Sequence, residues 1–389
     1  MDALCSFEPR YDAVIIGARC AGAATALLLA RSGAKVLVVD RQSYGSDTLS
    51  THALMRGGVL QLTRWGLIPA IKAAGTPPIR TTTFHYGSEA IGIAIKPEHG
   101  VECLYAPRRT LLDRLLVDAA RKAGADVRHG VSLSELQFGS DGRVVGVMLK
   151  DASGTSKAVR CDIVIGADGR QSTVARLVNA RAYVEGMNAS GVVFGYYESL
   201  ARDGSHWHFA KGAAAGVIPT NSGHCVFAAV PAQQFAAAFG SGLARGFHQV
   251  LEACSPELRA DVEGARLTGH LRGFGGTRAY LRDAQGPGWA LVGDAGYFKD
   301  PLTAHGITDA LRDADLLSRA IVDGGTRALA AYQRDRDALS LPFLRTTDAI
   351  ASFSWELDDV SRLHAALSAA MKEEVEHIAS LARSPSLAA

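Results

Sequence analysis

The chain begins with two apolar runs on either side of a helical segment. Residues 11–17 form an apolar run closed by glycine and 35–40 form a second one, and both predict buried parallel strands. The Ala- and Leu-rich residues 21–31 between them predict a helix, and Gly33 stands where a glycine often ends a helix. The pattern therefore predicts a βαβ unit at the start of the chain.

Further along, the period of the apolar pattern changes. Residues 110–124 place apolar side chains on one face of a predicted helix, and 127–160 alternate around the polar turn 140–142 as a hairpin does. The short apolar runs 162–166 and 289–293 are again typical of buried strands. These segments extend the predicted α/β domain.

Between these segments the chain shows a second pattern of apolar and polar residues. Alternating stretches bounded by Gly, Asn and Ser predict an antiparallel sheet, at 191–200, 206–210, 224–231 and, earlier in the chain, 81–95. A helix is predicted near 233–252, and from residue 306 onward the pattern is mostly helical, with a break expected at Pro342.

This order of segments predicts an α/β fold with a discontinuous domain organisation. A Rossmann-like dinucleotide-binding domain is interrupted twice by a mainly antiparallel β-sheet substrate domain and is followed by C-terminal helices. The predicted boundaries are 1–74, 106–180 and 282–350 for the first domain, 75–105 and 181–281 for the β-rich domain, and 351–389 for the helical segment.

Composition and charge exclude several classes of protein. The 389 residues suffice for two domains, and 48% hydrophobic with 21% charged residues is typical of a globular protein. The net charge of +2 gives no indication of a nucleic-acid or membrane-surface partner. Asp2 and Glu8 lie where a signal peptide would be apolar, and no run is long enough to span a bilayer, so we expect a cytoplasmic protein without a membrane span.

The cysteines do not indicate a metal site. No two are spaced as C-x-x-C, and the histidines do not cluster with them at the spacing of zinc ligands. We therefore expect no metal and interpret the cysteines as single thiols in a reducing compartment. They are Cys5, Cys20, Cys103, Cys161, Cys225 and Cys254.

A glycine-rich turn gives the first indication of a binding site. Gly17-Ala18-Arg19-Cys20-Ala21-Gly22 has glycine at the first and third positions of G-x-G-x-x-G, between a predicted strand and a predicted helix. Gly17 permits the tight turn, Gly22 lets the helix approach the strand, and the helix N-terminus can bind a pyrophosphate.

An acidic residue completes this motif. Asp40 ends the second predicted strand, where a carboxylate can accept hydrogen bonds from ribose hydroxyls, and Arg41 follows it in the same predicted site. Arg19 replaces the middle glycine, which requires that its side chain point away from the turn. The sequence thus predicts a dinucleotide site.

Three later segments narrow the dinucleotide to FAD. They are Asp168-Gly169 after the strand at 162–166, Gly293-Asp294 after the strand at 289–293, and Asp300-Pro301 leading into a helix that begins near Gly306. In this order, behind an N-terminal βαβ unit, they resemble the p-hydroxybenzoate hydroxylase-like (group A) family of flavoprotein monooxygenases, which is related to geranylgeranyl reductases and flavin-dependent halogenases.

The resemblance implies roles for particular residues. In such proteins the Asp-Gly motif, here Asp168-Gly169, serves FAD and NAD(P)H together, and the carboxylate of the Gly-Asp motif, here Asp294, holds the ribityl chain. Arg56 and Arg109 match arginines that contact the phosphates of the flavin nucleotide or adjoining groups, and Arg108 is an alternative to Arg109.

The resemblance also places the flavin ring. Gly306 and Ile307, reached through Pro301, are expected to open a helix toward its pyrimidine edge. Backbone N–H groups and a helix dipole there stabilise negative charge on reduced flavin. The first domain is then the FAD-binding domain.

The implied activity is that of a single-component monooxygenase. Members take a hydride from NAD(P)H, bind O2 at flavin C4a and transfer one oxygen from the C4a-(hydro)peroxyflavin to a substrate. We expect hydroxylation or epoxidation of a small, aromatic or polyketide-like organic molecule by a monomer or homodimer. Water is expected to be excluded by the aromatic residues of the β-rich domain, Phe194, Tyr196, Trp207 and Phe209.

Two histidines are candidates for acid–base chemistry. His52 lies in a segment expected to pass near the flavin ring, and His305 directly precedes Gly306. Either can exchange a proton near neutral pH. The hypothesis for His305 is that its replacement by alanine keeps FAD and removes turnover.

Alternative functions remain open. A reductase of isoprenoid double bonds usually carries a Cys-Gly-rich segment where this chain has residues 47–52. A halogenase carries W-x-W-x-I-P, and residues 213–219 retain only Ile218-Pro219. A catalytically idle flavin-binding protein is a third alternative. A dehydrogenase that binds NAD alone is disfavoured by Gly293-Asp294.

Overall fold

The computed structural model describes residues 7–8 and 10–381. Expectations for residues 1–6, 9 and 382–389, including those for Asp2 and Cys5, lie outside this part of the chain. The strands, in chain order, are β1 Arg10–Ile16, β2 Val36–Asp40, β3 Thr81–Tyr86, β4 Glu89–Ala94, β5 Asp126–His129, β6 Val131–Phe138, β7 Val144–Asp151, β8 Ser156–Gly166, β9 Ala182–Glu185, β10 Ser190–Glu198, β11 Ser205–Ala210, β12 Ala213–Thr220, β13 Gly223–Pro231, β14 Arg266–Phe274, β15 Tyr280–Arg282, β16 Gln285–Gly286, β17 Trp289–Leu291 and β18 Tyr297–Phe298.

The helices alternate with these strands in the first part of the chain and dominate its end. They are α1 Cys20–Arg31, α2 Arg56–Arg64, α3 Ile68–Ala73, α4 Arg109–Lys122, α5 Thr173–Leu177, α6 Phe235–Phe239, α7 Leu243–Cys254, α8 Pro256–Glu263, α9 Gly306–Asp323, α10 Gly325–Ile350 and α11 Leu357–Leu381. Short 3-10 turns are Ala232–Gln234, Gly293–Ala295 and Pro301–Thr303.

The first sheet confirms the predicted α/β fold class. Its order is β16-β17-β8-β1-β2-β5, with β1 parallel to β2 and β8, and β17 parallel to β8. Alternate residues of β1 enter two different core clusters: Ala13 and Ile15 face one, Val14 and Ile16 the other. Because both faces of this strand are covered, its sequence is a continuous apolar run.

The strand predicted at 162–166 is the end of a longer strand. In β8 the first residues pair antiparallel with β7, and the last pair parallel with β1. The hairpin predicted around the turn 140–142 is formed by β6 and β7. One strand thus joins the hairpin to the parallel sheet, which the apolar pattern did not indicate because burial changes halfway along it.

The second sheet has seven strands in the order β14-β10-β13-β12-β11-β3-β4. The predicted antiparallel segments all lie in it, including 81–95, while β12 and β14 are strands that the pattern had not assigned. The helix predicted near 233–252 is interrupted between α6 and α7. Gly242 has φ +137°, a conformation that favours glycine and ends the continuous helix.

The break expected at Pro342 is wrong. Helix α10 runs through this residue without interruption. A proline in a helix removes one backbone hydrogen bond, but the flanking turns are held by buried side chains, among them Arg336, Ser340, Phe343 and Leu344. Tertiary packing therefore outweighs the local preference.

The C-terminal helix packs on its own chain. In α11, Leu367 and Val375 are buried in the largest core cluster, and Leu363 and Met371 pack against it. The helix contacts α2 and α10. Along the described residues, no helix combines the length and apolarity needed to cross a bilayer.

Candidate functional site

The glycine turn joins β1 to α1 at a point where side chains do not fit. Gly17 has φ +108°, and a Cβ there would lie 2.4 Å from the carbonyl oxygen of Ala167. A Cβ on Gly22 would lie 1.9 Å from the carbonyl oxygen of Gly17. Both glycines are therefore required for the close approach of helix, turn and strand.

The N-terminus of α1 is left free. Arg19 is the residue before the helix, and no side chain caps the first N–H groups. Its guanidinium extends toward the loop that follows β2, with Nη2 3.5 Å from Ser46 Oγ and 3.4 Å from the carbonyl oxygen of Asp47. Arginine is thus accommodated at the middle position, and the helix end remains available to an anion.

Asp40 is fixed beside this helix end. Its two carboxylate oxygens accept hydrogen bonds from the backbone N–H groups of Ala18 and Gln42, each at 2.8 Å. Ala18, Arg19 and Asp40 line a surface pocket, and Arg41 is exposed next to it. The pocket thus combines a helix N-terminus with a carboxylate, the pair expected for a pyrophosphate and a ribose.

Arg109 lies on the other side of the α1 N-terminus. Its Nε donates to Asp113 Oδ1 at 3.0 Å, and the Cys20 thiol donates to the same oxygen at 3.1 Å. Burial opposes charge on Arg109, yet Asp113, Cys20 and Asp294 together raise its pKa above the usual value. Within the described chain its remaining N–H groups have no hydrogen-bond acceptor.

Asp294 also lies near the N-terminus of α1. A Cβ on Gly293 would lie 2.8 Å from Cβ of Ala21, so the Gly-Asp turn rests directly on α1. Burial raises the pKa of Asp294, while the cations Arg170 and Arg109 oppose this shift. No described residue hydrogen-bonds to its carboxylate, whose acceptor capacity is therefore available to hydroxyl donors.

Asp168 is engaged by its own chain. Its carboxylate accepts from the Ser172 hydroxyl and from the backbone N–H of Thr173 at the start of α5. Burial raises its pKa, and these hydrogen bonds oppose the rise. Asp168 therefore holds the loop that presents Arg170, whose guanidinium stacks 4.5 Å from the ring centroid of Phe274.

Helix α9 begins without a side-chain cap. Gly306 is exposed at its first position, and a Cβ there would meet nothing within 4 Å. Ile307 is buried, and His305 precedes the helix without capping it. The approach through Pro301 is anchored by Asp300, which accepts from the Ser190 backbone N–H and hydroxyl, each at 2.6 Å.

His305 belongs to a buried ion network. Its Nε2 lies 2.8 Å from Glu374 Oε2, and its ring stacks on Phe343 with centroids 4.4 Å apart. Arg312 donates to Glu374 at 2.8 Å, and Lys299 pairs with Asp309. Burial lowers the pKa of His305, although its bond to Glu374 opposes the shift.

Both ring nitrogens of His52 are hydrogen-bonded, whereas Nδ1 of His305 has no hydrogen-bond partner among the described residues. Its Nδ1 accepts from the backbone N–H of Arg109 at 3.1 Å, so the neutral ring carries its proton on Nε2, which hydrogen-bonds to the Tyr196 hydroxyl. Burial lowers the pKa of His52 well below its usual value, and Arg108 and Arg109 lower it further. His52 is therefore neutral at pH 7.

Next to His52 an ion cluster joins the two sheets. Asp47 accepts from Arg108 at 3.0 Å and from Arg272 on β14 at 2.9 Å. The Arg108 guanidinium lies 3.3 Å from the ring centroid of Tyr196. Arg108 is thus committed to Asp47 and Tyr196, while Arg109 faces the glycine turn.

Arg56 is placed elsewhere. Its guanidinium donates to the carbonyl oxygens of Lys96 at 2.7 Å and Val101 at 3.2 Å. These contacts hold the loop after β4 and use the donors that a phosphate would need. The structure therefore does not bring Arg56 to the glycine turn.

Several residues of the site were not singled out from the sequence. Asp113 follows Arg109 by one helical turn, a spacing that indicates an ion pair. No comparable signal marks the others, because they meet through the tertiary fold. They are Arg170, Lys299, Arg312 and Glu374.

Comparison with known proteins agrees with this geometry. A family model described as "FAD binding domain" matches residues 10–345. Menaquinone reductase of Mycolicibacterium smegmatis is 27% identical over 81% of this chain and 77% of its own. The flavin-dependent brominase Bmp2 superposes with TM-score 0.80 at 18% identity, covering 95% of this chain and 93% of its own. The probable FAD-dependent monooxygenase pqsL of Pseudomonas aeruginosa gives TM-score 0.75 at 20% identity, covering 92% and 100%.

Proposed function

Because this chain belongs to the FAD-binding family whose model it matches over residues 10–345, and is thus an FAD-dependent oxidoreductase, we propose that it is a single-component monooxygenase. It takes reducing equivalents from NAD(P)H and inserts one oxygen atom of O2 into a small aromatic or polyketide-like molecule. The bound flavin supplies the activation of O2. The side chains supply binding, orientation and exclusion of water.

One observation supports this proposal: aromatic side chains on one face of the seven-stranded sheet pack in the same core cluster as α1 and α9, the two helices proposed to bind the dinucleotide. Phe194, Tyr196, Trp207 and Phe209 are all buried and belong to the core cluster that includes α1 and α9. His52 connects this face to Arg109 through its two ring nitrogens. An enclosed apolar face excludes water from the site, and oxygen transfer to a substrate requires that water be excluded.

The residues present fit FAD. The uncapped α1 N-terminus would hold the pyrophosphate, Asp40 the adenosine ribose, and Asp294 the ribityl hydroxyls. Arg109, whose remaining N–H groups have no acceptor among the described residues, interacts electrostatically with Cys20 at the start of α1 and with Asp294. The open, uncapped start of α9 at Gly306 would supply N–H donors to the pyrimidine edge.

The contacts favour positioning roles for both histidines. His52 orients the start of α4, and with it Arg109, while its second nitrogen holds Tyr196. His305 fixes the start of α9 through Glu374. The proton that the reaction consumes is then exchanged by substrate or solvent rather than by these rings. The Asp168 loop and Arg170 are proposed to meet NAD(P)H transiently.

The proposal is tested on purified, FAD-loaded protein. NADPH or NADH is added without oxygen and the visible flavin absorbance is followed; oxygenated buffer with isotopically labelled O2 and a panel of phenols and polyketides is then mixed in. Bleaching by a nicotinamide and label in the product are the expected results. Reoxidation without labelled product across the panel, in a protein that retains flavin, would contradict the proposal.

A halogenase is the first alternative, since the brominase Bmp2 shares the fold. Residues 213–219 form part of β12, a buried central strand, and carry small side chains in place of both tryptophans of the halogenase motif. Halide-dependent product formed only from supplied reduced flavin, with no bleaching by NADPH or NADH, would favour this alternative.

A double-bond reductase is the second alternative, since the chain is also similar to a reductase, menaquinone reductase. In this chain the segment 47–52 contributes Asp47 to the ion cluster with Arg108 and Arg272, and His52 to Tyr196. Loss of an isoprenoid double bond under anaerobic conditions would support the reductase and count against oxygen transfer.

A further inference from the structure

Three histidines converge on the face of the seven-stranded sheet that points away from the flavin site. His206 and His208 are two residues apart on β11, so both lie on one face, opposite to Trp207. Strand β3 pairs in parallel with β11 and sets His85 opposite His208. Two separate segments of the chain thus contribute to one cluster.

The geometry of this cluster is close to that of a metal site. His85 Nε2 lies 3.1 Å from His206 Nδ1. One ring nitrogen from each of the three residues lies within 4.8 Å of the others. His208 is only 4% exposed, and its Nε2 has no hydrogen-bond partner in the described chain. A buried nitrogen without a partner costs folding free energy, which a bound ion would recover.

We propose that His85, His206 and His208 bind a divalent transition-metal ion, with zinc as the first candidate. Tetrahedral zinc at its usual Zn–N distance places ligand nitrogens about 3.3 Å apart. This is close to the 3.1 Å between His85 Nε2 and His206 Nδ1. The rings of His85 and His208 are stacked, with centroids 4.0 Å apart and planes 3° apart. They must tilt to direct both lone pairs at one ion, and a fourth position stays open.

Two of the three imidazoles are hydrogen-bonded in the structure: His206 Nε2 donates to the carbonyl oxygen of Asp203 at 3.0 Å, and His206 Nδ1 accepts from His85 Nε2, so His85 must move its proton to Nδ1 to coordinate an ion. Burial lowers the pKa of His208 to about 3 and lowers those of His85 and His206.

Among the charged groups around the cluster, three carboxylates outnumber one guanidinium. Arg202 faces all three histidines and disfavours a cation, but it is paired with Asp261, 2.7 Å from its Nε. Glu257 and Asp203 contribute negative charge near His85 and His206. His224, also neutral through burial, lies beside His206.

The buried group of His305, Asp309 and Glu374 has similar spacing but cannot take an ion. Arg312 contacts both carboxylates, at 3.0 and 2.8 Å, and Lys299 pairs with Asp309. The Arg312 guanidinium and the Lys299 amino group already contact the carboxylate oxygens that a metal would need. Of the two candidate clusters in the described residues that contain buried side chains, the histidine cluster, in which His208 is buried and His85 and His206 are half-buried, is thus the one whose ring nitrogens are not paired with a Lys or Arg side chain.

Metal binding would tie β3 to β11. The hairpin of β3 and β4 forms one edge of the sheet, and β4 is exposed along its whole length. An ion held by residues of both β3 and β11 would therefore stabilise this edge without touching the flavin site.

The test uses FAD-loaded protein freed of metal by a chelator. Zinc is titrated against a chromophoric chelator, and the thermal unfolding temperature is measured with and without zinc. We expect one zinc per chain and a higher unfolding temperature. His206→Gln and His208→Gln should weaken zinc binding about tenfold or more, which corresponds to the loss of one ligand.

The control is His270→Gln, which changes an exposed histidine on β14 at the opposite edge of the same sheet. It should bind zinc as wild type does. Flavin content and circular dichroism confirm folding, and half-buried His206 serves as the test if the His208 variant fails to fold. Less than stoichiometric zinc in the wild type, or equal binding by the His206 variant, overturns the proposal.

Discussion

Glu374, near the end of the chain, accepts a hydrogen bond at 2.8 Å from Arg312 on α9 while its other carboxylate oxygen lies 2.8 Å from His305 Nε2. One carboxylate on α11 thus neutralises a buried guanidinium and fixes the residue before Gly306. The start of α9, which is proposed to meet the flavin, depends on this contact.

Replacing Glu374 with Gln should strongly destabilise the protein. The substitution leaves the Arg312 charge buried with less compensation, and breaking a buried pair from one side costs about 3–5 kcal/mol. Thermal or denaturant unfolding measures this loss. Glu373→Gln makes the same charge change on an exposed neighbour and should stay within about 0.5 kcal/mol of wild type. Similar stabilities for the two variants would show that the network contributes little.

Gly306→Leu should weaken flavin binding without harming the fold. A side chain at this position enters open space at the first turn of α9, where the ring is proposed to lie. We expect FAD affinity to fall by about tenfold or more, equivalent to about 1.4 kcal/mol. Gly275→Leu is the control, since a Cβ there also meets nothing within 4 Å. Equal flavin content in both variants would place the ring elsewhere.

Asp294→Asn separates binding from stability. Burial raises the pKa of this carboxyl, so the folded apoprotein gains nothing from its charge and should be at least as stable with asparagine. FAD affinity should fall about tenfold because charge-assisted hydrogen bonds to hydroxyls are lost. Equilibrium dialysis with FAD and apoprotein unfolding measure the two effects. Asp283→Asn, nearby in the chain, should change neither; an Asp294 variant that binds FAD normally would rule out the assigned role.

Asp300 should make stability depend on pH. Burial raises its pKa from 3.8 to about 6, opposed by hydrogen bonds from Ser190 and Leu302 and reinforced by Asp348. Between these two values the folded state keeps a proton that the unfolded state releases, so this contribution is complete below about pH 4 and is lost as the pH rises through about 6.

The comparison is with Asp300→Asn, which removes the titrating group. The advantage of wild type over the variant should grow as the pH is lowered from 7.5 toward 5, by at most about 1.4 kcal/mol per pH unit. Unfolding at several pH values measures the difference. A difference that stays constant over this range would mean that Asp300 is ionised throughout.

His52→Gln tests positioning against proton transfer. It disturbs the bonds to the Arg109 N–H and the Tyr196 hydroxyl, and an unsatisfied buried group costs about 1–3 kcal/mol. We expect weaker FAD binding and an unchanged shape of the pH–rate profile. Tyr196→Phe, which removes one of the two bonds, should have a smaller effect on FAD. Loss of a limb from the pH–rate profile of the Gln variant would instead assign proton transfer to His52. The corresponding hypothesis for His305, retained FAD without turnover, is tested by His305→Ala.

The fold was largely predictable from the sequence because its signals are local. The apolar runs of β1 and β2 and the glycine turn between Gly17 and Gly22 predict the βαβ unit directly. The dual pairing of β8 and the continuity of α10 through Pro342 were not predictable, since both depend on packing between distant segments.

The site was predictable only in part, for the same reason. The motif residues Gly17, Gly22, Asp40 and Gly293-Asp294 occupy positions fixed by local geometry, and the structure gathers them around the start of α1. Their roles toward FAD stay predictions. Arginines gave weaker signals: Arg109 faces the turn, while Arg56 contacts the loop at 96–101 instead.

The packing of α11 against α2 has a consequence for the order of assembly during synthesis. Arg64 on α2 donates to the carbonyl oxygen of Ile378 at 2.7 Å, across 314 positions of sequence. The ribosome therefore releases the glycine turn long before it releases Glu374. A nascent chain can form the βαβ unit early, but Glu374 can contact His305 and Arg312 only after α11 has emerged. The complete FAD site would then form only after translation has passed α11.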